Sequence, residues 1–135
     1  MAFYEWSDQL SVKVGKMDEQ HKVLVSLINE LHEAMKAGMG KETTGKTLKR
    51  LLEYTKTHFA AEETLMRQHS YPGLDEQKAE HAKLIQKVLD FDRDYNAGKI
   101  TLTMEVMAFL KQWLNDHIGN TDKKYGPYLN SKGIS

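Results

Sequence analysis

Four long stretches with helical apolar periodicity, each broken off by glycine or proline, commit this 135-residue chain to a bundle of helices. Residues three or four apart share a helix face, because the helix repeats about every 3.6 residues. The first stretch carries Met17, Leu24, Val25, Ile28, Leu31 and Met35; Asp18 is expected to cap it, and Gly38-Met39-Gly40 ends it after about Ala37. The second, over about 42–67, carries Leu48, Leu51, Leu52, Thr55, Phe59, Leu65 and Met66. Ser70-Tyr71-Pro72-Gly73 reads as a turn, since proline rarely continues a helix. The third stretch, about 74–97, carries Leu74, Leu84, Ile85, Val88, Phe91 and Tyr95 up to a stop at Ala97-Gly98-Lys99. Thr101 or Thr103 is expected to cap the fourth, whose inner face is Val106, Phe109, Leu110, Trp113 and Leu114.

Short connections between four such helices favour an all-α, up-down-up-down antiparallel bundle. Residues 1–17 read as an irregular arm carrying Phe3, Tyr4 and Trp6 across it. Gly119-Asn120 is expected to interrupt the fourth helix, leaving a short helical tail around Tyr125-Gly126-Pro127-Tyr128. No repeat or composition shift divides the chain, so one domain is expected over residues 1–135.

The stripes are not wholly apolar. His21 fills a gap in the first, His58 and Glu62 complete the second, and Gln77 and His81 extend the third toward its start. His117 follows the fourth stripe, with Asp122 close behind. In an antiparallel bundle all of these fall at one end, because they lie near the starts of helices one and three and the ends of two and four. Buried imidazoles and carboxylates are costly unless paired or bound to metal. Six of them converging is therefore the signature of a metal site. Several imidazoles with carboxylates and no thiolate suit zinc, iron or manganese. One zinc ion would leave carboxylates over, whereas two irons can share Glu62 and Asp122 as bridges with the histidines as terminal ligands. His32 and His69 read as surface or capping residues. Glu63 and Glu80, about 100° off their inner faces, read as solvated.

Composition narrows the remaining classes. Nineteen basic residues against nineteen acidic ones leave no net charge to favour nucleic acid or an anionic membrane. The absence of cysteine excludes disulfides, thiolate zinc sites and iron–sulfur clusters. No segment has the roughly 20 apolar residues of a membrane span, and the start has neither the basic nor the apolar part of an export signal. The cytoplasm is the expected compartment.

The chain resembles the hemerythrins, specifically the short bacterial kind. The resemblance rests on Trp6, on His21 after Asp18-Glu19-Gln20, and on His58-Phe59-x-x-Glu62-Glu63 with Met66. It continues through Tyr71-Pro72, His81, Trp113-Leu114-x-x-His117, Asp122 and Lys124-Tyr125-Gly126, and so covers nearly the whole sequence. It implies two non-haem irons joined by Glu62, Asp122 and an oxo or hydroxo group. One iron would take His21 and His58 and keep a position open for dioxygen; the other would take residue 77, His81 and His117. It also implies reversible dioxygen binding in a dry pocket, for which Leu24, Phe59, Trp113, Leu114 and Ile118 are suitable walls. Where the family has a histidine, this chain has Gln77, a neutral and weaker oxygen donor. That departure keeps a diiron peroxidase, oxidase or nitric oxide reductase, or an oxygen sensor, as alternatives. Peroxide and nitric oxide are then further candidate ligands, and an oxygen-receiving or reductant protein a candidate partner.

Overall fold

A computed structural model describes residues 3–38, 41–98 and 104–135. The four apolar stretches form α1 (Gly15–Lys36), α2 (Lys41–Gln68), α3 (Leu74–Asn96) and α4 (Met104–Asp116), with a short α5 (Tyr125–Ser131) as the tail. Among the described residues there is no strand. The chain is an all-α four-helix bundle: α1 packs along α2, α2 along α3, and α4 closes against α1. Periodicity placed the core well. Met17, Leu24, Ile28 and Leu31 of α1 are buried with Leu48, Leu52, Phe59 and Met66 of α2, Val88 of α3 and Leu110 and Leu114 of α4. None of the helices among the described residues is long and apolar enough to cross a membrane.

The connections follow turn chemistry. The C-terminal ends of α1 and α3 are the same Ala-Gly pair, with Gly38 at φ 64° and Gly98 at φ 74°. This left-handed conformation is easy for glycine and lets the chain leave the helix. α2 ends on Ser70 at φ 55°, where Tyr71 N–H reaches back to the Met66 carbonyl at 2.9 Å. The expected caps at Thr101 or Thr103 lie outside the described residues.

Two local readings are corrected. Helix α1 begins at Gly15, three residues before Asp18, so Asp18 is not its cap. Its carboxylate instead accepts the Val12 N–H at 2.8 Å and the Ser11 hydroxyl at 2.6 Å, latching the arm onto the first turn. Charge-assisted bonds of this kind are stronger than neutral ones, which explains an aspartate there. The arm is held further along by a reciprocal pair, Tyr4 N–H to Asn29 Oδ1 and Asn29 Nδ2 to the Tyr4 carbonyl, both 2.8 Å. It then crosses α5 so closely that a Cβ on Gly126 would meet the Val12 carbonyl oxygen. Glycine after Lys124-Tyr125 is thus a packing requirement.

The second correction concerns Gly119-Asn120. The backbone does not break there. It widens into a π-turn over His117–Thr121, tightens to a 3-10 turn over Asp122–Lys124, and runs on into α5.

Candidate metal centre

The π-turn decides whether the site forms at all. Five residues along an α-helix turn a side chain about 140° away from its start. The i→i+5 bond of a π-turn brings such a pair back to one side. Here the Asp122 N–H bonds the His117 carbonyl, and both side chains are buried. Without that widening Asp122 would face away from the bundle axis.

The other helices deliver their residues by ordinary periodicity. His21, His58, Glu62, Gln77, His81, His117 and Asp122 are each no more than 2% exposed. Their donor atoms fall into two overlapping groups whose members lie within 4.8 Å of one another: His21, His58, Glu62 and Asp122, and Glu62, His81, His117 and Asp122. The two carboxylates belong to both. Glu62 Oε2 lies 3.2 Å from His21 Nε2, while its Oε1 lies 3.2 Å from His58 Nε2 and 3.4 Å from His81 Nε2. Asp122 places Oδ2 3.2 Å from His21 Nε2 and Oδ1 3.0 Å from His117 Nε2.

Hydrogen bonding satisfies only part of this layer: His21 Nε2 pairs with Glu62 Oε2 at 3.2 Å. His58 Nε2, Glu62 Oε1 and both Asp122 oxygens are buried without a hydrogen-bond partner. The ring tautomers give the reason. His81 Nδ1 donates to Glu63 Oε2 at 2.9 Å, His117 Nδ1 to Glu80 Oε1 at 2.9 Å, and His58 Nδ1 to Gln20 Oε1 at 2.6 Å. Carboxylates and an amide oxygen only accept, so each of these rings carries its proton on Nδ1 and, when neutral, turns a lone pair inward. His81 Nε2 and His117 Nε2 then face each other at 3.2 Å. Two lone pairs at that distance repel unless a proton or a cation lies between them. Donor atoms around an octahedral ion with bonds of about 2.1 Å stand about 3 Å apart, which matches the spacings here. The residues therefore fit a pair of small divalent cations.

Electrostatics says what fills the site when no metal does. Burial alone would lower the His21 pKa, but the Asp122 and Glu62 carboxylates outweigh it and hold it at about 10. Burial likewise lowers His117, against which Asp122, Glu62 and Glu80 raise it to about 9. Burial would raise Glu62, yet the surrounding His58, His21 and His81 rings hold it well below the usual carboxylate range. Tyr125 donates its hydroxyl to Glu62 Oε2 at 2.5 Å; burial and the two carboxylates keep its own proton well above the ordinary range.

Directly along the bundle axis sits a cavity of about 20 Å³, lined by Leu24, Ile28, Leu51, Thr55, Leu84, Val88, Leu110 and Leu114. Leu24, Thr55, Leu84 and Leu114 are each three residues from one of the four histidines, so this layer stacks on the donor layer. Its one hydroxyl, on Thr55, is spent on the Leu51 carbonyl at 2.6 Å. The space is about that of one small molecule, and apart from the Thr55 oxygen its walls are apolar. A separate groove of about 640 Å³ between Val23, Leu27, Lys46 and Tyr54 holds none of the histidines.

Of the expected pocket walls, Leu24 and Leu114 line this cavity. Phe59 and Trp113 do something else: they stack on two of the histidine rings, Phe59 on His81 at 3.8 Å between centroids and Trp113 on His117 at 4.5 Å. Ile118 is fully buried within the π-turn. His32 is half-buried against Phe3, 4.3 Å between centroids, and His69 is half-buried at the end of α2 with its carbonyl bonded by Tyr128.

The solvated reading of Glu63 and Glu80 is corrected by the same bonds that fix the tautomers. Both are half-buried and orient a histidine, as Gln20 orients His58. Such partners fix ring orientation and raise ligand basicity. Glu63→Leu and Glu80→Leu are each expected to weaken divalent metal binding about 10- to 100-fold in a chelator competition. Exposed Glu76, whose partner is Lys124 at 3.7 Å, serves as the control, and Glu76→Leu should leave the affinity unchanged.

A family model described as the hemerythrin HHE cation binding domain matches residues 12–129. The chain belongs to the hemerythrin family. It is 35% identical over 132 residues to a bacteriohemerythrin of Methylococcus capsulatus, covering 97% of this chain and 100% of that protein. It is 31% identical over 122 residues to a myohemerythrin of Theromyzon tessulatum, covering 90% of each. A crystal structure of wild-type hemerythrin aligns with a TM-score of 0.89 at 34% identity, over 93% of this chain and 97% of that one. The matched span takes in every position from His21 to Asp122, and the chain is a hemerythrin of the bacteriohemerythrin type.

Proposed function

We propose that this hemerythrin, read as a single domain over residues 1–135, is a cytoplasmic non-haem diiron protein that binds dioxygen reversibly. The observation that carries the reading is the pair of donor groups sharing Glu62 and Asp122, with the inward Nε2 atoms of His58, His81 and His117, whose outer nitrogens are locked by Gln20, Glu63 and Glu80. His21 and His58 would hold one iron, His81 and His117 the other, with the two carboxylates and an oxo or hydroxo group between them. Bound iron supplies the electrons for reversible dioxygen binding.

The rest falls to the chain. Tyr125 pins one oxygen of Glu62, so that the shared carboxylate keeps its orientation as charge at the centre changes. Phe59 and Trp113 cover the ring faces of His81 and His117 and exclude water from that side. The apolar layer of Leu24, Leu84 and Leu114 offers a dry space beside the donors, and a dry shell limits proton access and irreversible oxidation.

Repeated cycles of oxygen and argon over the anaerobically loaded ferrous protein test this directly. A visible charge-transfer band should rise and fall through each cycle with little loss. A single, one-way conversion to a ferric spectrum contradicts reversible binding.

A further inference from the structure

Gln77 stands one turn before His81 on the inner face of α3 and is 1% exposed. Its amide nitrogen donates to the Thr121 backbone carbonyl at 3.3 Å, in the π-turn that also carries His117. A carbonyl can only accept, so this bond fixes which way round the amide lies. The amine end faces Thr121 and the oxygen end is left over. Oε1 is buried and has no hydrogen-bond partner. Leaving a buried acceptor unpaired is costly, and a cation nearby would remove that penalty.

The His81 side of the centre is where such an oxygen would act, since α3 supplies His81 and the π-turn supplies His117. Without Gln77 the two donor groups are equal, each with two imidazoles and both shared carboxylates. An amide oxygen is a neutral, weak donor beside an imidazole, and here the amide is held only through its nitrogen, by one long hydrogen bond. It can therefore complete the shell of one ion and still give way to a stronger donor.

Resting on the diiron reading, we propose that Gln77 Oε1 is a displaceable ligand of the ion held by His81 and His117, so that this half, too, accepts a small anion of the azide type. The centre then has two positions for exogenous ligands, one on each metal.

Cobalt(II) loaded into the apo-protein, with azide as the anion, tests this without oxygen chemistry. Wild type should bind two cobalt ions, the second about tenfold or more weakly than the first, and two azides by the change in the cobalt spectrum. Gln77→His should tighten the weaker ion about 10- to 100-fold and reduce azide to one. Gln77→Leu should weaken that ion further and leave two azides. One azide on wild type, or identical metal affinities in wild type and Gln77→His, overturns the proposal whether or not the leucine variant folds. Failure of the diiron reading looks different: wild type takes up no cobalt, or His58→Ala and His81→Ala take up as much as wild type.

Discussion

Replacing Glu62 by alanine is expected to abolish binding of both metal ions. Among the described residues it is the one side chain whose oxygens lie within 3.4 Å of three of the four histidines, and it belongs to both donor groups. Losing any single histidine removes one donor from one group, so His58→Ala should retain an ion on the His81 side. Glu62→Ala removes a donor and a negative charge from both at once. It also leaves the buried Tyr125 hydroxyl without its acceptor. An affinity loss of more than about 100-fold for each ion is expected, read as metal per chain after desalting, with circular dichroism to establish that the helices persist. Two ions retained by the alanine variant would remove Glu62 from the site.

The second large effect is on stability, and its pH dependence has a definite sign. Iron held by the folded donor layer and not by the unfolded chain would stabilise the fold by mass action. Ligand at about 1,000 times its dissociation constant contributes about 4 kcal/mol, which in a chain of this size raises the Tm by roughly 10–20 °C. In the metal-free protein His21 and His117 titrate at about 10 and about 9, above the ordinary histidine value. Their raised pKa stabilises the apo fold fully below about pH 6.5, and that contribution is lost as pH rises through 9 and 10. Metal binds only the neutral rings, so loading near neutral pH must expel these two protons. Between about pH 6.5 and 8.5 the two groups together should make the apparent affinity rise about 100-fold per pH unit. The gap in Tm between loaded and metal-free protein should widen over the same range. Anaerobic calorimetry with ferrous iron in buffers of different ionisation enthalpy measures the proton count. An affinity independent of pH would place these rings outside the coordination shell.

The donor layer was legible in the sequence because each residue takes a slot that an apolar side chain would otherwise fill. His21 between Met17 and Leu24, or Glu62 between Phe59 and Met66, stands out on the helix's own 3.6-residue count. The partners of the rings escape that count. Glu63 and Glu80 lie a full 100° from their inner stripes, at the seams between helices. What brings them inward is a histidine on the neighbouring helix, which periodicity along one chain segment cannot register. The π-turn left a trace that was available: His117 and Asp122 are five apart, a spacing no α-helix places on one face. Asp18 shows the opposite error. It has the residue type and place of a cap, but the helix starts earlier because the arm, folded back through Ser11 and Val12, takes up its carboxylate. Phe59 and Trp113 were likewise readable as inner-face residues, while their stacking on the histidine rings depended on how helices α2, α3 and α4 meet.

The most direct test of the shared-carboxylate centre is an anomalous difference map from crystals of the iron-loaded protein, collected at the iron edge. Two iron peaks about 3–4 Å apart, with Glu62 and Asp122 between them, His21 and His58 on one side and His81 and His117 on the other, are the predicted result. A single peak, or two peaks that share neither carboxylate, would contradict it.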